Sequence, residues 1–376
     1  YHVDVNSAYL SWTAAYRVCI LGEDLDLRDI PSVIGGSEAE RHGIVLAKSG
    51  SAKRYGIRTG ETLAEARCKC PGLVIVPPDY SLYVSCSKAL VELLKKYFPH
   101  VHQYSIDEAF CRVEGTKGLW GTHTAFAHQL KEEIRRELGF TVNIGVSDCK
   151  LLAKMASEFQ KPDQVHTLFT REIERKMWPL PVSDLFWVGP ATVRKLGALG
   201  IRTIGELAVM DLELLQRHLK KQGEFIWNYA NGRDVSPFLR ELPRNKGYGN
   251  SMTTPFDVTD RETAWQVILS LTETVCARLR ADGMEAACVG ISITDREFRH
   301  GSVQTTLISA TDTTLEIYEA ARSLFDRLWN HSPIRQMGVH TSKVSPKGHY
   351  QYQLFDRGLH DKYSRLDAAV DEIRKR

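Results

Sequence analysis

Helical spacing over residues 80–98 ends at Pro99, which cannot continue a helix. A strand pattern follows at 101–106, then a polar turn, a strand at 109–114, a helix at 122–139 and a strand at 141–147. Ahead of them stand a strand at 1–6 and a helix marked by Tyr9, Leu10, Ala14 and Val18. With residues 22–79 set aside as an insertion rich in glycine and basic residues, the order is β-α-β-β-α-β. That order constrains the fold more than any other feature, because it is the ferredoxin-like split βαβ arrangement. A right-handed crossover makes the first two strands parallel, and the third turns back between them. Asp4, ending the first strand, then faces the hairpin "YSIDEAF", which carries Asp107 and Glu108.

A carboxylate pair in a hairpin is by itself an ordinary polar turn. Three carboxylates at one sheet edge are less ordinary, since like charges a few ångströms apart repel unless a cation lies among them. Hard oxygen ligands suit Mg²⁺. Two such ions, about 3.5–4 Å apart, serve phosphoryl transfer. On these residues alone a polymerase, a nucleotide cyclase and a nuclease all remain open.

Composition narrows the field. The chain has 376 residues and a net charge of +3, which permits nucleic acid as a partner without arguing for it. No stretch approaches the roughly 18 apolar residues of a membrane span, so no membrane association is expected. The eight cysteines show no zinc spacing and read as free thiols of a cytoplasmic protein. The sequence opens at Tyr1 already inside a strand pattern, so residues are expected ahead of it, without a signal peptide. Residues 169–242 read as short helices broken by glycines. Residues 243–347 repeat the β-α-β-β-α-β order, with a strand near 247–255, a helix at 261–281, strands at 286–295 and 301–309, a helix at 313–330 and a strand at 335–343.

Three stretches, "VDVNSAYLSW", "YSIDEAF" and "NIGVSDCKLLAKMASEFQKP", resemble the palm motifs of bacterial Y-family (translesion) DNA polymerases. The resemblance runs over essentially the whole chain, in the right order. It implies an α+β fold: a ferredoxin-like palm (1–21 and 80–168), inserted fingers (22–79), a helical thumb with a helix-hairpin-helix (169–242), a β-α-β-β-α-β little finger (243–347) and a clamp-binding tail (348–376). It implies low-fidelity, template-directed addition of dNTPs to a primer 3′-hydroxyl. Asp4, Asp107 and Glu108, with the Val5 carbonyl, would hold two Mg²⁺ ions. Backbone amides of Ser7 and Ala8 would cradle the triphosphate at a helix N-terminus, with Asn6 as a helix cap or a ligand. Tyr9 would be the steric gate against ribonucleotides, and Lys161 would contact phosphate, with Lys154 the weaker candidate. Ile44, Leu46 and Ala47 would line the pocket over the nascent base pair.

Two departures stand out. Where relatives carry Tyr-x-x-Arg, this chain has Gly50-Ser51-Ala52-Lys53, and lysine lacks the bidentate fork of arginine. In the hairpin "WVGPATVRKLG", Trp187 takes the place of the first glycine, so Gly189 is expected to carry more of the turn, with Gly189 and Thr192 on a DNA phosphate. Residues 244–347 hold 12 Lys and Arg against 12 Asp and Glu. A DNA-facing sheet with Arg296, Arg299, Lys343 and Lys347, and acids on the helices, fits that balance and predicts a modest grip. "QYQLF" resembles the bacterial sliding-clamp peptide, with Gln351, Leu354 and Phe355 as anchors. Expected partners are primer-template DNA, dNTPs and the clamp, with the polymerase itself a monomer. The alternative is a catalytically impaired scaffold of the same family that binds DNA and clamp.

Overall fold

In the computed structural model the described residues are 1–37, 41, 43–113, 121–234, 244–348 and 359–375. They divide into two compact units: Tyr1–Gly36 with Ile44–Glu241, and Ser37–Gly43 with Leu242–Arg376. No described helix is long and apolar enough to cross a membrane.

The first unit opens with β1 (His2–Val5) and α1 (Ala8–Ala15), followed by a π-helical turn at Tyr16–Ile20. The inserted segment holds β2 (Ser32–Gly35), β3 (Val45–Lys48), α2 (Gly50–Arg54), α3 (Leu63–Lys69) and β4 (Val74–Val76). Its strands form a separate three-stranded sheet in the order β3-β2-β4. The main sheet resumes through α4 (Tyr80–Lys95), β5 (His100–Gln103), β6 (Glu108–Arg112), α5 (His123–Leu138), β7 (Val142–Val146), α6 (Lys150–Glu158) and β8 (Val165–Thr167). Its order is β5-β6-β1-β7-β8, so the expected ferredoxin-like set gains one parallel strand at the β7 edge.

β5 stops at Gln103, earlier than the sequence pattern suggested, because the amides of Tyr104 and Ser105 turn onto the Glu108 carbonyl at 2.9 and 3.2 Å. That turn places Asp107 just outside the strand and Glu108 at its first position. The core beneath the sheet is built from Val3, Val5, Trp12, Tyr83, Phe126, Phe140 and Ile144. α5 ends cleanly at Gly139, whose φ of 73° is the left-handed conformation that glycine adopts without strain.

Short helices complete the unit: α7 (Ile173–Lys176), α8 (Pro190–Ala198), α9 (Ile204–Ala208), α10 (Leu212–Leu219) and α11 (Lys221–Ala230). Thr203 caps α9 in a reciprocal box with Glu206. Gly189 caps α8 with an ordinary φ of −86°, so it does not carry the turn as expected. Trp187 itself takes the left-handed conformation, at φ 71°, and stands 58% exposed. A tryptophan held there carries roughly 1–3 kcal/mol of backbone strain.

The second unit contains β9 (Gly247–Val258), α12 (Arg261–Ala281), β10 (Met284–Asp295), β11 (His300–Thr311), α13 (Thr314–Leu328), β12 (Ile334–Pro346) and α14 (Leu359–Lys375). The expected element order is present, yet the sheet runs β11-β10-β12-β9, with the first strand at an edge instead of the centre. One face packs on α12 and α13 through residues such as Val289, Ile291, Met337 and Val339. On the alternate positions the register lines up Cys288, Gly290, Ser292 and Thr294 with Ser342, His340, Gly338 and Gln336, flanked by Ser302, Gln304 and Thr306 on one side and Gly249, Ser251 and Thr253 on the other. Most of these side chains are small or polar, with the His340 ring lying over Gly290 and Lys343 Nζ reaching Thr306 at 3.0 Å.

Candidate active site

Asp4 and Glu108 are direct partners across the antiparallel β1–β6 ladder. Directly opposed residues place their side chains on one face at close range. The expected convergence therefore exists, but its membership differs from the expectation. The oxygens that gather within 4.8 Å of one another belong to Asp4, Glu108 and Glu158. Asp107 is not among them; its carboxylate accepts from the Ser105 hydroxyl at 2.7 Å. The Asp107 backbone is tied in, since its carbonyl accepts the Val5 amide at 3.1 Å.

Two lysines supply positive charge to these acids. Lys161 Nζ lies 2.9 Å from both Asp4 Oδ1 and Glu158 Oε1. Lys154 Nζ lies 2.9 Å from each oxygen of Glu108 and also sits over the rings of Phe186 and Tyr104. Burial raises the Asp4 carboxyl well above the usual range, to about 7, against the pull of Lys161. Burial pushes Glu108 the same way, but the His2 ring 3.4 Å away and the hydrogen bonds from Lys154 outweigh it and hold the group low. The sheet edge thus contains one carboxylate held charged by its neighbours and one whose burial outweighs the pull of its lysine.

α1 starts directly above these acids. Its N-cap is Ser7, in a left-handed conformation at φ 48° without a side-chain cap bond. Asn6 is neither cap nor free: its Oδ1 accepts from the Asp163 amide at 2.9 Å and from Thr141 Oγ1 at 3.0 Å, and its amide donates to Asn143 at 3.0 Å. Asn143 in turn donates to the carbonyls of Ser157 and Gln160 at 2.9 and 2.7 Å. This network anchors the loop that carries Lys161. The amides of Ser7 and Ala8 open the first turn, where backbone donors lack intrahelical acceptors and anions are favoured.

Tyr9 projects from the same turn. Its ring stacks on Tyr83 at 4.3 Å with a 6° interplanar angle, and Tyr80 meets it edge-on. Thr13 locks the pair by donating to the Tyr9 carbonyl at 2.8 Å while contacting the Tyr83 hydroxyl at 3.3 Å. Leu46 is half-buried in the small core that also holds Tyr9, and Ala47 is buried in it, whereas Ile44 is 43% exposed. Lys53 is exposed on α2. Thr192 lies in the first turn of α8 and is half-buried. Gln351, Leu354 and Phe355 lie outside the described residues.

The family model described as impB/mucB/samB matches residues 3–158, and the model of that family's C-terminal domain matches 245–354. A third, described as the thumb domain of DNA polymerase-iota, matches 183–234. A solved Y-family DNA polymerase chimera shares the fold, with a TM-score of 0.76 over 92% of this chain and 98% of that one, at 19% identity. The DNA polymerase IV of Clostridium acetobutylicum is 44% identical across 100% of this chain and 94% of its own. That of Acetivibrio thermocellus is 39% identical over the same shares. The chain belongs to this family, the bacterial Y-family DNA polymerases.

Family membership implies a divalent metal, and the donor set of this Y-family polymerase fits one. All the converging atoms are carboxylate oxygens, the hard donors that suit a divalent ion, and Asp4 is only 5% exposed, so that burial raises its carboxyl despite Lys161. Sequence reasoning missed Glu158 and His2. Glu158 had a legible signal, because it follows Lys154 at i+4, the spacing of one helix face.

Proposed function

We propose that this polymerase performs translesion synthesis by adding dNTPs to a primer 3′-hydroxyl with two Mg²⁺ ions held by Asp4, Asp107, Glu108 and the Val5 carbonyl. The observation that carries the reading is the pairing of Asp4 with Glu108 at the sheet edge beneath the N-terminus of α1. When bound, the ions supply charge neutralisation and a more acidic 3′-hydroxyl. The chain's own residues do the rest. Glu108 sits nearest the attacking hydroxyl, the Ser7 and Ala8 amides hold the triphosphate, and Tyr9 lies under the sugar and leaves no room for a 2′-hydroxyl. Lys161 and Lys53 would approach the phosphates, Lys161 from its place beside Asp4 and Glu158. Ile44, Leu46 and Ala47 cover the nascent base pair with small or aliphatic side chains, which suits a pocket tolerant of distorted templates.

The palm is 1–21 with 80–168, the fingers 22–79, the thumb 169–242 and the little finger 243–347. Gly189 and Thr192 hold a DNA phosphate at the start of α8. This largely small and polar face of the second unit lies along the duplex, where glycine, serine and threonine permit close approach of a sugar-phosphate backbone. The basic residues expected there contribute less than the sequence suggested. Arg299 pairs with Asp295 at 2.7 Å and Lys347 with Asp312 at 2.7 Å, while Lys343 donates to Thr306. Weak intrinsic grip makes tethering valuable, and we assign Gln351, Leu354 and Phe355 to a bacterial sliding clamp. The enzyme works as a cytoplasmic monomer.

Primer extension with Mg²⁺ on undamaged and abasic templates tests this reading. Extension opposite the abasic site that disappears in Asp107→Ala and Glu108→Ala supports it. Extension confined to the undamaged template overturns the translesion assignment, and extension that survives loss of the acids overturns the site.

A further inference from the structure

The turn that leads into α8 carries two aromatic side chains, one inward and one outward. The Val188 amide donates to the Leu185 carbonyl at 3.0 Å, so Trp187 holds the third position of the turn. Its φ of 71° is the value that favours glycine there. Phe186 packs against the thumb core, its ring 6.5 Å from Tyr229 at a 12° interplanar angle, with Lys154 Nζ 5.2 Å from its centre. Trp187 is left 58% exposed.

The chain itself gains little from this arrangement. Among the described residues the indole meets the rings of Phe186 at 5.5 Å and, edge-on, of Phe225 at 6.2 Å. It stays outside the core that takes both of them. A glycine would relieve the backbone and withdraw an apolar ring from water. Strained residues persist where their surroundings hold them, and they gather where a ligand is gripped. Here the hold is firm, because Gln222 in the first turn of α11 donates to the Trp187 carbonyl at 3.2 Å while Phe186 anchors the turn from within.

The neighbourhood indicates the ligand. Two residues on, Gly189 caps α8, whose first-turn amides have no intrahelical acceptor. Lys220 and Lys221, just before Gln222, are exposed, as are Arg194 and Lys195 on α8, and none of the four forms an ion pair among the described residues. Asp184 and Glu224 are the acids beside them, and Glu224 already accepts from Gln216 at 3.1 Å. An exposed ring among unpaired cations suits a polyanion whose charges alternate with apolar sugars.

We propose that Trp187 is a DNA-contacting residue: its indole lies against the deoxyribose faces of the duplex backbone beside the phosphate held at the start of α8. The contact reads no sequence, and the rigid turn fixes where the backbone rests on the thumb. The inference rests on the phosphate role proposed above for Gly189 and Thr192.

The test is the affinity of the full chain for a fluorescently labelled primer-template, read by anisotropy across a salt series in Trp187→Gly, Trp187→Ala and Trp187→Phe, with urea midpoints measured on the same proteins. The glycine variant should have a higher urea midpoint than the parent, since the turn costs it no strain, and yet bind DNA about 5- to 20-fold more weakly. Alanine should lose as much affinity without that gain in midpoint, whereas phenylalanine should stay within about threefold of the parent. The slope of log affinity against log salt should match the parent's in all three, because no charge is lost. Thr192→Glu sets a repelling carboxylate at the phosphate site, in a helical position that favours glutamate, and should weaken binding independently. Parent-like affinity in the glycine and alanine variants beside a weakened Thr192→Glu overturns this inference alone and leaves the ring to a protein partner. Parent-like binding by Thr192→Glu overturns the phosphate reading beneath it. A glycine variant whose midpoint falls along with its affinity shows that the indole serves the thumb's own fold, and this too overturns the proposal, as does a flattened salt slope.

Discussion

Asp4 illustrates how one residue's environment becomes a measurable property. Its carboxyl is raised by burial to about 7 in the folded chain, against 3.8 as its ordinary value, while Glu108 is held low by His2 and Lys154. Between roughly pH 4.5 and 7 the folded state keeps the Asp4 proton that the unfolded state has released, so Asp4's contribution to metal-free stability falls as pH rises through that window. Glu108 acts the other way, below that window. A divalent ion favours ionised Asp4, so the gain in melting temperature on replacing EDTA with Mg²⁺ should be larger at pH 8 than at pH 5.5, and Asp4→Asn should flatten the difference. A pH-independent gain in the parent would contradict the burial argument. At Tyr9, truncation to alanine removes a ring braced by Tyr83 and Thr13. Ribonucleotide insertion relative to deoxyribonucleotide should rise by roughly tenfold or more, read from matched single-nucleotide assays.

Among the elements, α6 organises the site, because Lys154, Ser157 and Glu158 all lie on it and Lys161 follows in its exit loop. Its position depends on Gly145, so Gly145→Ala should destabilise the chain by about 3 kcal/mol in urea unfolding and lower activity in the surviving folded fraction. An unchanged midpoint would show that β7 and α6 part easily. Element boundaries were legible where periodicity was strong: the helix expected at 261–281 is α12 to the residue, while the strands expected at 101–106 and 109–114 are His100–Gln103 and Glu108–Arg112, with the largest shift at the turn. The polar contacts were not legible. A sequence places Asn6 before a helix and so suggests a cap, but cannot show that Asp163 and Asn143 compete for its side chain. Likewise Trp187 shows that tertiary context can hold a bulky residue in a glycine conformation. Asp107 and Glu108 look equivalent as neighbours in "YSIDEAF", and only the turn, where Ser105 donates to Asp107, separates them.

At the scale of the molecule, two units share an element order but not a sheet order, since pairing partners rather than succession decide which strand is central. The charge segregation expected in the second unit is partly cancelled by local ion pairs, which sequence counts cannot reveal. Weak DNA contacts predict that a clamp matters more than any surface charge. Replacing Gln351, Leu354 and Phe355 with alanine should leave clamp-free insertion unchanged and remove clamp stimulation of primer extension, an effect on the order of 10²-fold. Loss of clamp-free activity in that variant would place these residues in the catalytic fold instead. We assign to Asp4 and Glu108, paired across β1 and β6, the divalent metal on which nucleotidyl transfer depends. The decisive measurement is a Mg²⁺ titration of single-turnover insertion with saturating primer-template and dNTP, on the parent, Asp4→Asn and Glu108→Gln. Rates should fall at least a hundredfold with DNA affinity retained, and metal midpoints should shift upward wherever activity can be measured. Parent-like rates and midpoints in either variant would contradict it.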